Sequence, residues 1–146
     1  MKKQLVRTTM ILATVAMGMA AANAEGRLLL SKEKGEVVVR DTDGKSVFRS
    51  EDAKPCIEYA LNHAKTAILT AGEYGCGSRV EIPRPGVTLI IGRDATVKPA
   101  EDADVGAWPR TVDIQKVAHC QLIYNKEHDN VRIVNLGELI SPTSWH

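Results

Sequence analysis

Gly86-Val87-Thr88-Leu89-Ile90-Ile91-Gly92, leading on to Thr96-Val97, is echoed by Asn130-Val131-Arg132-Ile133, leading through Gly137 to Leu139-Ile140. Val87 and Val131 lie 44 residues apart, with Val112-Asp113-Ile114 between them at steps of 25 and 19. Steps of this size suit strands that stack with an alternating apolar face turned inward. Around these copies the chain from Ala67 onward reads as short strands broken by Gly, Pro, Asn and Asp. The runs are Ala67 to Leu69, Arg79 to Ile82, Val87 to Ile91, Thr96 to Lys98, Thr111 to Ile114, Gln121 to Tyr124, Val131 to Val134 and Glu138 to Ile140. Such a pattern means a β-sandwich or a solenoid, and the internal echo alone leaves both open.

Working outward, the period changes between Ala53 and Ile68. Ala53, Ile57, Ala60, Leu61, Ala64, Ala67 and Ile68 recur at spacings of three and four, predicting an amphipathic helix with Ser50 or Asp52 as its N-cap and Pro55 in its first turn. Before it, Leu28 to Leu30 and Glu36 to Arg40 are β-prone, and Asp41-Thr42-Asp43-Gly44 reads as a turn. Residues 1–24 differ from everything that follows. A cationic start (Lys2, Lys3, Arg7) precedes an apolar run from Met10 to Ala22 and the small-residue ending Ala22-Asn23-Ala24, which is the pattern of a cleaved export signal. The expected organisation is therefore a signal peptide over 1–24 and one domain over 25–146, in a secreted or periplasmic protein. Setting the leader aside leaves 16 cations against 18 acids, a balance that argues against a nucleic-acid binder. No second run of spanning length follows, so no membrane partner is expected after cleavage.

The order of motifs from Cys56 to Pro99 adds a further signal. Ile57-Glu58-Tyr59-Ala60-Leu61 is followed by Ala67-Ile68-Leu69-Thr70-Ala71-Gly72-Glu73-Tyr74, then Val80-Glu81-Ile82-Pro83, then Gly86 to Gly92, and later by His128-Asp129-Asn130-Val131-Arg132-Ile133. This order resembles the opening of the pectin-lyase-like superfamily of right-handed parallel β-helices. The resemblance implies an all-β solenoid of about three coils with an N-terminal capping α-helix over the open end. It also implies kinship with polysaccharide lyases and glycoside hydrolases, whose chemistry lies on middle coils that 122 residues do not provide. The chain is accordingly expected to be an N-terminal portion without its own catalytic groove. A non-enzymatic glycan- or protein-binding module and a small polyuronate lyase are the alternatives. The partners implied are polysaccharide and a second copy joined through the open C-terminal coil.

Individual residues are weighed on that background. Asp41-Thr42-Asp43-Gly44 looks like a polygalacturonase signature but precedes the helix and differs in its first residue, so it is taken as a turn. Glu101-Asp102-Ala103-Asp104 with Asp113 offers oxygen ligands suited to calcium, although Gly106 falls one position early for a helix-flanked calcium loop, and a solvated acidic loop is the expectation. Arg110, Lys116, His119 and Tyr124 are acid or base candidates without a partner that spacing identifies. Trp108 and Trp145 are candidates for stacking on sugar faces, with core or end packing as the plainer role. Cys56, Cys76 and Cys120 make an odd set, open to a Cys56–Cys76 bridge or to three small buried thiols. His119-Cys120 with Cys76 lacks the paired short spacings of a zinc site. No catalytic, cofactor or metal residue is assigned.

Overall fold

The computed structural model describes residues 26–112 and 118–142. Residues 1–25, which include the stretch read above as an export signal, and Asp113, Lys116 and Trp145 lie outside the described residues. Along the chain run β1 (Arg27–Glu33), β2 (Glu36–Arg40), β3 (Ser46–Ser50), α1 (Ala53–His63), β4 (Thr66–Leu69), β5 (Gly72–Cys76), β6 (Val80–Glu81), β7 (Thr88–Ile91) and β8 (Ala95–Pro99). A 3-10 turn (Val105–Ala107) separates these from β9 (Thr111–Val112), β10 (Ala118–His119), β11 (Ile123–Tyr124), β12 (Arg132–Asn135) and β13 (Glu138–Leu139).

The largest sheet has six strands in the order β12-β7-β4-β1-β2-β3, and it is mixed. The margin β1-β2-β3 is antiparallel, whereas β1-β4, β4-β7 and β7-β12 are parallel. A three-stranded parallel sheet β13-β8-β5, a parallel pair β11-β6 and an antiparallel pair β10-β9 complete the set. The expected right-handed parallel β-helix of about three coils is thus not met. Two findings overturn it. The first three strands form an antiparallel meander, and Thr111–Val112, which holds the one described residue of the Val112-Asp113-Ile114 copy, pairs antiparallel with Ala118–His119 instead of stacking on its neighbours. The fold is strand-rich with mixed and parallel sheets and one α-helix among the described residues. What the 44-residue echo encodes is a register: Arg132 pairs with Thr88 and Ile133 with Leu89.

The core follows from strand alternation. β4 and β7 bury Ala67, Leu69, Leu89 and Ile91 and leave the residues between them half-buried, and β8 adds Ala95 and Val97. Against these lies the apolar stripe of α1, in which Ala53, Cys56, Ile57, Ala60 and Leu61 are buried. Of the two candidate caps the structure uses Asp52, whose Oδ1 accepts the Lys54 amide at 2.9 Å and also the amide of Gly77 at 2.9 Å. At the other end Arg84 donates to the carbonyls of Leu61 and Ala64 at 2.9 and 2.8 Å, satisfying acceptors that a helix end leaves open.

Gly72-Glu73-Tyr74-Gly75-Cys76 forms strand β5. Gly72 starts it at φ +141°, and a Cβ there would come within 2.9 Å of Lys32 Cβ, so glycine is required on both counts. The three cysteines are free and buried, which removes the Cys56–Cys76 bridge. Burial, reinforced by the charge of Asp52, pushes the Cys56 thiol up to about 11 and Cys76 up to about 12. Native protein is therefore expected to resist neutral-pH alkylation almost completely and to yield three reactive thiols once denatured. A thiol count of one after denaturation without reductant would instead mean a bridge.

Candidate functional site

The outer face of α1 is where the sequence places its polar and aromatic residues. Lys54, Glu58 and Asn62 recur every four residues, as do Tyr59 and His63, so each set lines up along the helix away from the core. β6 and β11 lie side by side in parallel, Ile123 against Val80 and Tyr124 against Glu81. With Val80 buried, the alternation turns Glu81 and Tyr124 outward. Between this helix face and these strands runs an open groove of about 840 Å³.

Its helix wall carries a stack of three rings. Phe48 lies on Tyr59 with centroids 4.7 Å apart and planes inclined 9°, and Tyr59 lies on His63 at 4.0 Å and 18°. His63 Nδ1 is 2.9 Å from the Tyr59 carbonyl, which fixes the orientation of the imidazole. On the strand wall the Arg79 guanidinium sits 4.0 Å over the ring of Tyr124, a cation–π contact, while its Nη2 donates to Glu81 at 3.0 Å. Glu58 joins the two walls: its Oε2 accepts from Lys54 Nζ at 2.6 Å and from the Glu81 amide at 2.8 Å. Lys126 and His128 complete the rim.

Both groove carboxylates are thus engaged, one with Lys54 and one with Arg79. The lining holds three fixed cations, Lys54, Arg79 and Lys126, against Glu58 and Glu81. What the groove presents is apolar ring edges and faces flanked by hydrogen-bonding groups with a positive excess. That combination suits a flat, hydroxylated ligand carrying negative charge.

Of the candidates taken from the sequence, Tyr124 is brought to this groove. Arg110 is exposed beyond the 3-10 turn, and His119 pairs with Thr111 in the β9-β10 ladder. Trp108 is 5% exposed and belongs to the core cluster, so its ring has no face to offer a sugar. Asp41 is buried and accepts the amides of Asp43 and Lys45 at 3.0 and 2.9 Å, closing the β2-β3 turn. Asp102 and Asp104 line a second hollow, of about 470 Å³, with Glu51 and Asp52. Among the described residues no group of three or more His, Cys, Asp or Glu side chains is disposed to hold a metal ion. The groove residues other than Tyr124 were missed as a site because they are distant in sequence. The fourfold spacing on α1 and the alternate positions Tyr124, Lys126 and His128 were the available signal.

Comparison with known proteins returns no matching family model, no matching curated protein and no matching solved structure, so the functional reading rests on the chemistry of the groove.

Proposed function

We propose that this protein is an exported glycan-binding module whose groove between α1 and the β6-β11 pair takes a segment of acidic polysaccharide. The carrying observation is the joining of ring surfaces, Phe48-Tyr59-His63 on one wall and Tyr124 on the other, with a rim whose cations outnumber its carboxylates. The apolar C–H face of a pyranose packs on an aromatic ring, and its hydroxyls exchange hydrogen bonds with Asn62, Glu58 and Glu81. A uronate carboxylate is met by Lys126 and the imidazoles. Binding without turnover fits the engagement of Glu58 and Glu81 in ion pairs, which positions them as rim hydrogen-bond acceptors. The leader supports export, with Glu25 as the first residue of the mature chain, and the intact mass of the purified protein reports its removal.

Calorimetric titration with oligogalacturonate and with a neutral cello-oligosaccharide tests the reading. Tighter binding of the acidic ligand is expected, weakening with added salt. Tyr124→Ala is expected to weaken it at least about tenfold, roughly 1.4 kcal/mol, while leaving the fold intact because Tyr124 lies on the outer side of β11. Absence of binding to any oligosaccharide, or binding indifferent to Tyr124→Ala, would refute the assignment.

A further inference from the structure

The three fixed cations of the groove are not equally free. Lys54 Nζ is held by Glu58 at 2.6 Å, and Glu58 Oε2 is fixed in turn by the Glu81 amide at 2.8 Å. Arg79 is held at more points. Its Nε and Nη2 donate to Glu81 Oε1 at 3.2 and 3.0 Å, its guanidinium lies 4.0 Å over the Tyr124 ring, and its side chain is 12% exposed. Lys126 differs from both: it is exposed and makes no ion pair among the described residues. Its place in the chain is nevertheless defined. Asn125 Nδ2 donates to the His128 carbonyl at 3.0 Å and Asn125 Oδ1 accepts the His128 amide at 3.3 Å, closing a turn around Lys126 and Glu127 next to Tyr124.

We infer that these cations divide the work of recognition: Lys126 decides the preference for acidic over neutral glycan, and Arg79 is a positioning residue that fixes the Tyr124 ring. The inference rests on the glycan reading of the groove and assigns the selectivity of that site to one side chain. A paired cation presents little net field to a ligand carboxylate, because the carboxylate already beside it cancels most of the attraction. Before Lys54 or Arg79 can serve the ligand, its ion pair must be opened or two carboxylates must share it, and both are costly. Lys126 incurs neither cost. Arg79, itself held by Glu81, covers one face of Tyr124, so it restrains the ring and leaves the opposite face to a pyranose. That restraint acts alike on neutral and acidic sugars, whereas the charge of Lys126 acts on the acidic ones. A lysine at position 79 keeps the charge but loses the planar stack and the fork of donors, which makes the two roles separable.

Calorimetric titration of variants with oligogalacturonate and with a neutral cello-oligosaccharide, at one pH and salt concentration, separates the roles, and a thermal melt checks that each variant is folded. Lys126→Gln is expected to weaken binding of the acidic ligand about three- to tenfold and to leave the neutral one unchanged. Lys126→Arg is expected to keep the wild-type preference. Arg79→Lys is expected to weaken both ligands by a similar factor, about threefold, and to have no further effect in a Tyr124→Ala background. A preference for the acidic ligand that survives Lys126→Gln, a preference that falls with Arg79→Lys, or an Arg79→Lys effect that persists without Tyr124 would overturn the inference while leaving the groove a glycan site. Wild-type protein that binds neither oligosaccharide would overturn the glycan reading and this inference together.

Discussion

Replacing Tyr74 by alanine is expected to lower the unfolding free energy by about 3–5 kcal/mol, the range for truncating a fully buried aromatic ring. Tyr74 is the largest fully buried side chain among the described residues, and its hydroxyl lies 2.9 Å from two carbonyl oxygens, those of Leu30 and Thr70. The Leu30 carbonyl also accepts from the Thr70 amide and hydroxyl at 2.9 and 2.8 Å, so it keeps partners without Tyr74. Tyr74→Phe, which keeps the ring, is therefore expected to cost only about 1–2 kcal/mol, mainly through the Thr70 carbonyl. Urea unfolding followed by circular dichroism separates the two effects. An alanine variant within about 1 kcal/mol of wild type would mean that β5 does not bury this ring.

Asp52→Ala is expected to cost about 2–3 kcal/mol, because one carboxylate oxygen holds both the N-terminal turn of α1 and the loop after β5 through Gly77. Asp52→Asn keeps an accepting oxygen and is expected to stay within about 1 kcal/mol of wild type. The charge has a second consequence. Asp52 acts with burial to keep Cys56 and Cys76 protonated, so the asparagine variant should lower both thiol values and speed their labelling. Burial also raises the Tyr74 phenol. All three groups have folded values above their unfolded ones, so their stabilising effect is complete below the ordinary thiol value of 9.0 and is lost as pH rises through about 11 and about 12. Stability measured by chemical denaturation should accordingly decline from pH 9 upward. Equal stability at pH 8 and pH 11 would contradict the buried, protonated state of these groups.

The helix was legible because two local signals agreed: an apolar stripe at spacings of three and four, and a capping carboxylate with Pro55 behind it. The strands of the parallel ladders were legible through their alternating Leu, Ile and Val. β3 and β5 were not. Ser46–Ser50 has little apolar content and is held in place by pairing with β2, and Gly72–Cys76 is rich in glycine, so local propensity spoke for turns while tertiary pairing made strands. The architecture was misjudged at Thr111–Val112, where a four-residue apolar pattern fits stacking and hairpin equally well and only the partner strand decides. The groove was hidden for a different reason. Phe48, Tyr59, Arg79 and Tyr124 become neighbours through the packing of α1 against β3 and β6, a relation no spacing in the chain expresses.

The most direct test of the central claim, that the α1/β6-β11 groove is a binding site for acidic glycan, is an amide chemical-shift map of isotopically labelled protein titrated with oligogalacturonate. Saturable shifts clustered at Tyr59, Asn62, His63, Arg79, Glu81, Tyr124, Lys126 and His128 are predicted. Shifts confined to the β12 margin or to the hollow around Asp102 and Asp104, or no saturable shift anywhere, would contradict it.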